Sequence, residues 1–120
     1  MRILVVEDEP LLAMLLEESL ADLGHETVTT AATVDQAMTV LAECVVDCAL
    51  LDFSLGQDTT SAPVARRLLE AGTPFYYLSG HASLEETDDT PDAPLLTKPV
   101  SIEALKGALS AMATFSAGAA

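Results

Sequence analysis

The sequence predicts an open α/β fold, a parallel sheet with helices on both faces, and three observations carry the prediction. Four short apolar runs, at residues 3–6, 48–51, 75–78 and 95–97, have the length and composition of strands buried on both faces. Segments of helical period separate most of them, the alternation expected of βα units with right-handed crossovers. Each run also ends abruptly at a reactive polar group: Glu7 and Asp8, Asp52, Ser79, and Lys98 before Pro99. In an open parallel sheet the carboxyl ends of the strands share one edge, and that edge is where ligands bind.

The elements follow in order. After the first strand, Pro10 suits a first helical turn, Leu12, Leu16, Leu20 and Leu23 recur at helical spacing, and Gly24 ends the run. Residues 26–29 form a short polar strand at a sheet edge. Thr33 and Gln36 have capping-box spacing and open a helix with Val34, Ala37, Met38 and Leu41 on its apolar face. Asp47 leads into the third strand, and a loose stretch, 54–62, follows Asp52. Pro63 then opens a helix bearing Val64, Leu68 and Leu69 that stops at Gly72. Ser101 caps the last helix, with Ile102, Leu105, Leu109 and Met112 pointing inward. Residues 82–94 should connect the last two strands through a helix. Yet Glu85, Glu86, Asp88, Asp89 and Asp92 repel one another and Pro91 and Pro94 close the window, so any helix there is short. One domain over residues 1–115 with a flexible tail at 116–120 accounts for the chain.

Net charge excludes several functions. At −14, with Arg2, Arg66, Arg67, Lys98 and Lys106 as the only basic residues, the chain repels a phosphate backbone and an acidic membrane surface. No apolar stretch approaches the roughly 20 residues of a spanning helix, and Glu7 and Asp8 interrupt the first apolar run too early for a signal peptide. A cytoplasmic location is expected. Cys44 and Cys48 stand at C-x3-C rather than C-x-x-C spacing, with neither His25 nor His81 in ligand register, so they read as buried small apolar residues.

Three acids in one crevice, Glu7, Asp8 and Asp52, repel unless a cation joins them, and a few carboxylates completed by water suit Mg²⁺. Adjacent acids also have a plain structural use ahead of a helix, where they favour its dipole. Asp52 is harder to dismiss, because a carboxylate that ends a buried apolar run needs a partner or a task. Lys98 supplies counter-charge and Ser79 a hydroxyl donor. A metal, an amine and a hydroxyl around one carboxylate serve a phosphoryl group, whose oxygens each need neutralising or hydrogen bonding. Taken singly, Lys98 reads equally as a snorkelling surface lysine and Ser79 as a loop hydroxyl; their joint placement at strand ends favours the site.

These residues resemble those of two-component response-regulator receiver domains. The resemblance runs from the acidic pair at Glu7 and Asp8 through Asp52 and Ser79 to Lys98-Pro99, with separations of 44, 27 and 19 residues between Asp8, Asp52, Ser79 and Lys98. It implies a doubly wound five-stranded parallel sheet in the order 2-1-3-4-5 with five flanking helices. By it, Asp52 is the phosphoacceptor, Glu7, Asp8 and Asp52 hold Mg²⁺ with the backbone carbonyl of Ser54, and Ser79 and Lys98 bind phosphoryl oxygens. It further implies a sensor histidine kinase as donor and a downstream protein as target, with a phosphate-sink role as the other outcome. Residues 74–81, Pro-Phe-Tyr-Tyr-Leu-Ser-Gly-His, are similar to the Pro-Phe-x-Phe-Ala-Thr-Gly-Tyr signature of an alphaproteobacterial subgroup often paired with HWE-type kinases. Leu95 stands three before the lysine, where the family usually has an aromatic that turns on phosphorylation, so the output device must differ. His81, two beyond Ser79, borders the phosphoryl position, and residues 80–94 are expected to change order on phosphorylation.

Two other classes compete. An unphosphorylated receiver-like scaffold would commonly lack an acid or the lysine, and all are present. An aspartyl phosphohydrolase of the haloacid-dehalogenase type expects Asp-x-Asp, whereas Asp52-Phe53-Ser54 lacks the second acid. Nucleotide-binding loops are missing, since no G-x-G or G-x-x-x-x-G-K occurs.

Overall fold

The computed structural model describes residues 1–55, 59–80 and 93–119. Five strands, β1 (Arg2–Val6), β2 (Glu26–Ala31), β3 (Cys48–Asp52), β4 (Phe75–Ser79) and β5 (Leu95–Thr97), form one sheet in the order β2-β1-β3-β4-β5. All four pairings are parallel. Four helices flank it among the described residues: α1 (Pro10–Asp22), α2 (Val34–Glu43), α3 (Ala62–Ala71) and α4 (Ile102–Ala119). The expected short fourth helix of five would lie at 82–94, almost all of it outside the described residues.

The central strands are apolar throughout because both faces are covered. Side chains alternate across the sheet, so Leu4, Val6, Ala49 and Leu51 join the core under α2 and α3, while Ile3, Val5, Cys48 and Leu50 join the one under α1 and α4. The edges differ. Polar β2 meets β1 with a register shift at Ile3 and Leu4, the kind of irregularity that blunts an edge, and β5 is only three residues long.

Helix ends follow the sequence signals closely. The Thr33 side chain accepts the Gln36 N–H at 3.1 Å, and the Gln36 side chain accepts from the N–H of Ala32 at 2.8 Å, one residue before the cap itself. The Ser101 hydroxyl accepts from Ala104 N–H at 3.0 Å. Gly72 takes a left-handed conformation, φ 71°, with Thr73 N–H bonded to Leu68 O and Gly72 N–H to Leu69 O, a Schellman closure that a side chain would strain.

Three packing expectations are corrected. Ile102 and Leu69 are 46% and 53% exposed rather than inward, and Cys44 is exposed while Cys48 alone of the pair is buried. Ile102 is the first residue of α4, and Leu69 lies beside the buried Leu68 on the rim of α3's apolar face. Cys44 is the residue that ends α2 and so leaves the helix's buried side. The strand expected at 26–29 continues to Ala31. The backbone of α4 runs helically to Ala119, taking residues 116–119, placed in the tail from sequence, into its last turns.

Candidate functional site

Parallel register brings the strand ends to one level. Val6 pairs with Leu51 and Asp52 with Leu78, so Glu7 and Asp52 leave adjacent strands side by side and Ser79 follows one step on. Each is held by backbone. Glu7 N–H donates to Ala31 O at 2.9 Å, Phe53 N–H to Leu78 O at 3.0 Å, and Lys98 N–H to Ser79 O at 2.7 Å. The acids are therefore carried by the most buried strands of the sheet, and Lys98 by its edge.

One carboxylate oxygen from each of Glu7, Asp8 and Asp52 lies within 4.8 Å of the others. Glu7 and Asp52 are buried, at 2% and 6% exposure, while Asp8 is half-buried. Lys98 closes the cluster: its Nζ lies 3.0 Å from Glu7 Oε2 and 3.0 Å from Asp52 Oδ2. Glu7 Oε1 in turn accepts the N–H of Glu9 at 3.2 Å.

The electrostatics follow from this crowding. Burial, with the hydrogen bond and charge of Asp52, pushes the Glu7 carboxyl up to about 7, although Lys98 and the Glu9 N–H pull it down. Lys98 loses solvation, which by itself favours the neutral amine, yet its bonds to Glu7 and Asp52 win and hold it above the usual lysine range. One ammonium thus serves two buried acids beside a third. The donor set of hard carboxylate oxygens at mutual chelating distance fits a small oxygen-seeking dication such as Mg²⁺.

Ser79 is buried at the end of β4. Ser54, two beyond Asp52, is exposed and forms an isolated antiparallel bridge with Thr60, beside which Leu55 N–H donates to Thr59 O at 2.8 Å. His81 and residues 81–92 lie outside the described residues. Sequence reasoning overlooked what surrounds the cluster on the α1 side. Glu7 and Lys98 also line a cavity of about 330 Å³ walled by Leu12, Leu15, Leu16 and Leu78 and by Val100, Ile102 and Leu105 of the β5–α4 region. The available signal was the run Leu11, Leu12, Met14, Leu15 and Leu16, more apolar residues than one helix face can bury.

An acidic trio bridged by a lysine at the carboxyl edge of a 2-1-3-4-5 parallel sheet defines a class. The chain belongs to the response regulator receiver domain family, which matches residues 3–110, and so to two-component signalling. Among solved structures it is similar to SdrG from Sphingomonas melonis Fr1, at 36% identity over 93% of this chain and 95% of that one, with a TM-score of 0.80. It is similar too to the receiver domain of the response regulator PhyR from Erythrobacter litoralis, at 28% identity over 95% and 90%, TM-score 0.83. Anti-anti-sigma factor PhyR from Bartonella quintana aligns at 25% identity and a TM-score of 0.86 over 98% of this chain, which spans about half of that one, 49%. No curated protein sequence matches.

Proposed function

We propose that this chain is a cytoplasmic receiver that takes a phosphoryl group from a kinase phosphohistidine onto Asp52. The observation that carries the reading is the single ammonium of Lys98 shared between Glu7 and Asp52 at 3.0 Å each, with Asp8 completing the acidic trio. An Asp52 carboxylate oxygen attacks phosphorus, the P–N bond to the imidazole breaks as the P–O bond forms, and the imidazole leaves with a proton from solvent. Lys98 and the Ser79 hydroxyl meet the phosphoryl oxygens, which supplies the fixed donors such a transfer needs. Held by Glu7, Asp8, Asp52 and the Ser54 carbonyl, Mg²⁺ would neutralise charge on the phosphoryl oxygens.

The output is protein contact or drainage of phosphoryl groups from the kinase, and the signature at 74–81 points to a kinase of the HWE type. Chemistry on an outside substrate is not part of the reading: the chain promotes only its own modification and its reversal. Incubation with acetyl phosphate and Mg²⁺ followed by intact mass tests it. Wild type should gain one phosphoryl group and Asp52→Asn none; equal gain in both would move the acceptor elsewhere.

A further inference from the structure

One residue, Phe53, separates the two groups that the proposed metal site takes from a single stretch of chain, the Asp52 carboxylate and the Ser54 carbonyl. It is anchored at three points. Its N–H donates to Leu78 O at 3.0 Å, and its carbonyl accepts the Ser61 N–H at 3.0 Å. Its ring meets the Tyr77 ring edge-on, with centroids 5.6 Å apart and planes at 86°. Tyr77 has no exposed surface and meets Phe75 edge-on in turn, at 5.5 Å, so the three rings form a column in the core under α3. Backbone fixes the middle of the column as well, since Tyr77 N–H donates to Pro94 O at 2.9 Å.

Alternation along the strand makes this anchor bear on the site. Phe53 continues the row of Ala49 and Leu51 into the core under α2 and α3, which turns Asp52 to the other face of the sheet. Any rotation of the Phe53 backbone therefore turns Asp52 and Ser54 relative to each other. Ser54 is gripped through its neighbours: the bond from Ser61 N–H to Phe53 O precedes it, and the bond from Leu55 N–H to Thr59 O follows it. Neither bond uses the Ser54 carbonyl, which is what a ligand carbonyl requires. An aromatic anchor suits the task, because edge-on packing between rings fixes direction as well as distance. Ligands oriented in advance by the groups behind them bind a metal more tightly than the same ligands left free to turn.

We propose that Phe53 is a positioning residue: its ring, locked edge-on against Tyr77, holds the Asp52 carboxylate and the Ser54 carbonyl turned towards one divalent cation. This rests on the reading of Asp52 and Ser54 as metal ligands. Tyr77 serves the site through Phe53, whereas Phe75, at the far end of the column, serves the core alone.

The test sets Mg²⁺ affinity against stability in wild type, Phe53→Leu, Phe53→Tyr and Phe75→Leu. Each leucine variant deletes one edge-on contact to Tyr77, and both should melt below wild type. Should Phe53→Leu not melt cooperatively, Phe53→Met takes its place, a flexible side chain that fills the space without a ring. Affinity is read from amide NMR shifts over a Mg²⁺ titration with no phosphodonor present. Phe53→Leu should bind Mg²⁺ roughly fivefold more weakly than wild type, the worth of one aromatic pair. Phe53→Tyr, which keeps the ring, and Phe75→Leu should stay within about twofold of wild type. With acetyl phosphate, Phe53→Leu should need correspondingly more Mg²⁺ for half-maximal labelling yet reach the wild-type rate at saturation. Equal affinity in Phe53→Leu and wild type overturns the positioning role, and so does an equal loss in Phe75→Leu, the mark of weakened core packing in general. A wild type that shows no Mg²⁺-dependent shifts instead overturns the reading of Asp52 and Ser54 as metal ligands.

Discussion

Replacing Glu7 with glutamine should remove part of the protein's pH dependence, and the size follows from the site. Glu7 sits near 7 in the fold against an ordinary value of 4.5, so between these values the folded protein binds a proton that the unfolded chain has released. Stability from this group is complete below about 4.5 and is lost as pH rises through 7. At 1.36 kcal/mol per unit, the metal-free protein loses about 3 kcal/mol by pH 8, roughly 10 °C in melting temperature for a domain this size. The groups facing Glu7 are Asp52, Asp8 and Lys98; Lys98, held above the lysine range, stays charged across the window. His25 works in the opposite direction below its usual 6.5, where burial and the Met1 amine 3.2 Å away disfavour its charged form. Comparison of wild type with Glu7→Gln at each pH cancels it. Melting curves in EDTA from pH 5.5 to 8.5 should show wild type falling relative to the variant; parallel curves would refute the raised Glu7 carboxyl.

Mg²⁺ should raise the melting temperature of wild type more at pH 8 than at pH 6, because binding must displace the Glu7 proton, and Asp8→Ala should remove most of the rise; calorimetric melts at fixed ion concentration decide it. Lys98→Ala and Ser79→Ala should still take some label from acetyl phosphate yet lose the spectral change that accompanies it in wild type, read by amide NMR shifts. His81→Ala should alter the phosphoaspartate half-life severalfold, measured by decay of the modified mass; an unchanged half-life makes His81 a bystander.

Most of the sheet was legible because a strand covered on both faces leaves no polar position to blur it: residues 3–6 and 48–51 are each wholly buried. The site was legible for a related reason, since Glu7, Asp52 and Ser79 each break such a run at its carboxyl end. Helix faces were less legible. In α1, Leu16 and Leu20 are buried as their spacing predicts, but Ala13 joins them while Leu11, Met14 and Leu15 do not. A helix apolar on several sides carries no mark of which side meets the sheet. Ile102 and Leu69 were misplaced by the same ambiguity, and distance between strands, which made Lys98 the shared partner of two acids, is invisible until the register is known.

That register also explains how a phosphoryl group on Asp52 could be felt elsewhere without an aromatic at Leu95. Asp52 is fixed, as the last residue of a strand with no exposed position and with Phe53 tied to Leu78. Its partners are not fixed to the same degree. Lys98 stands just beyond a three-residue edge strand, its side chain 22% exposed, and is joined to Ser79 through the Lys98 N–H on the Ser79 carbonyl at 2.7 Å. On the proposed function, a dianionic phosphoryl group on Asp52 would compete with Glu7 for the Lys98 ammonium and draw the Ser79 hydroxyl towards itself. Because the backbone bond couples these two residues, either movement strains the other, and both act on the β4–β5 edge rather than on the core. Rigidity on the acceptor side and a single shared cation on the edge side make the β4–β5 edge the part of the described fold expected to respond to charge at Asp52.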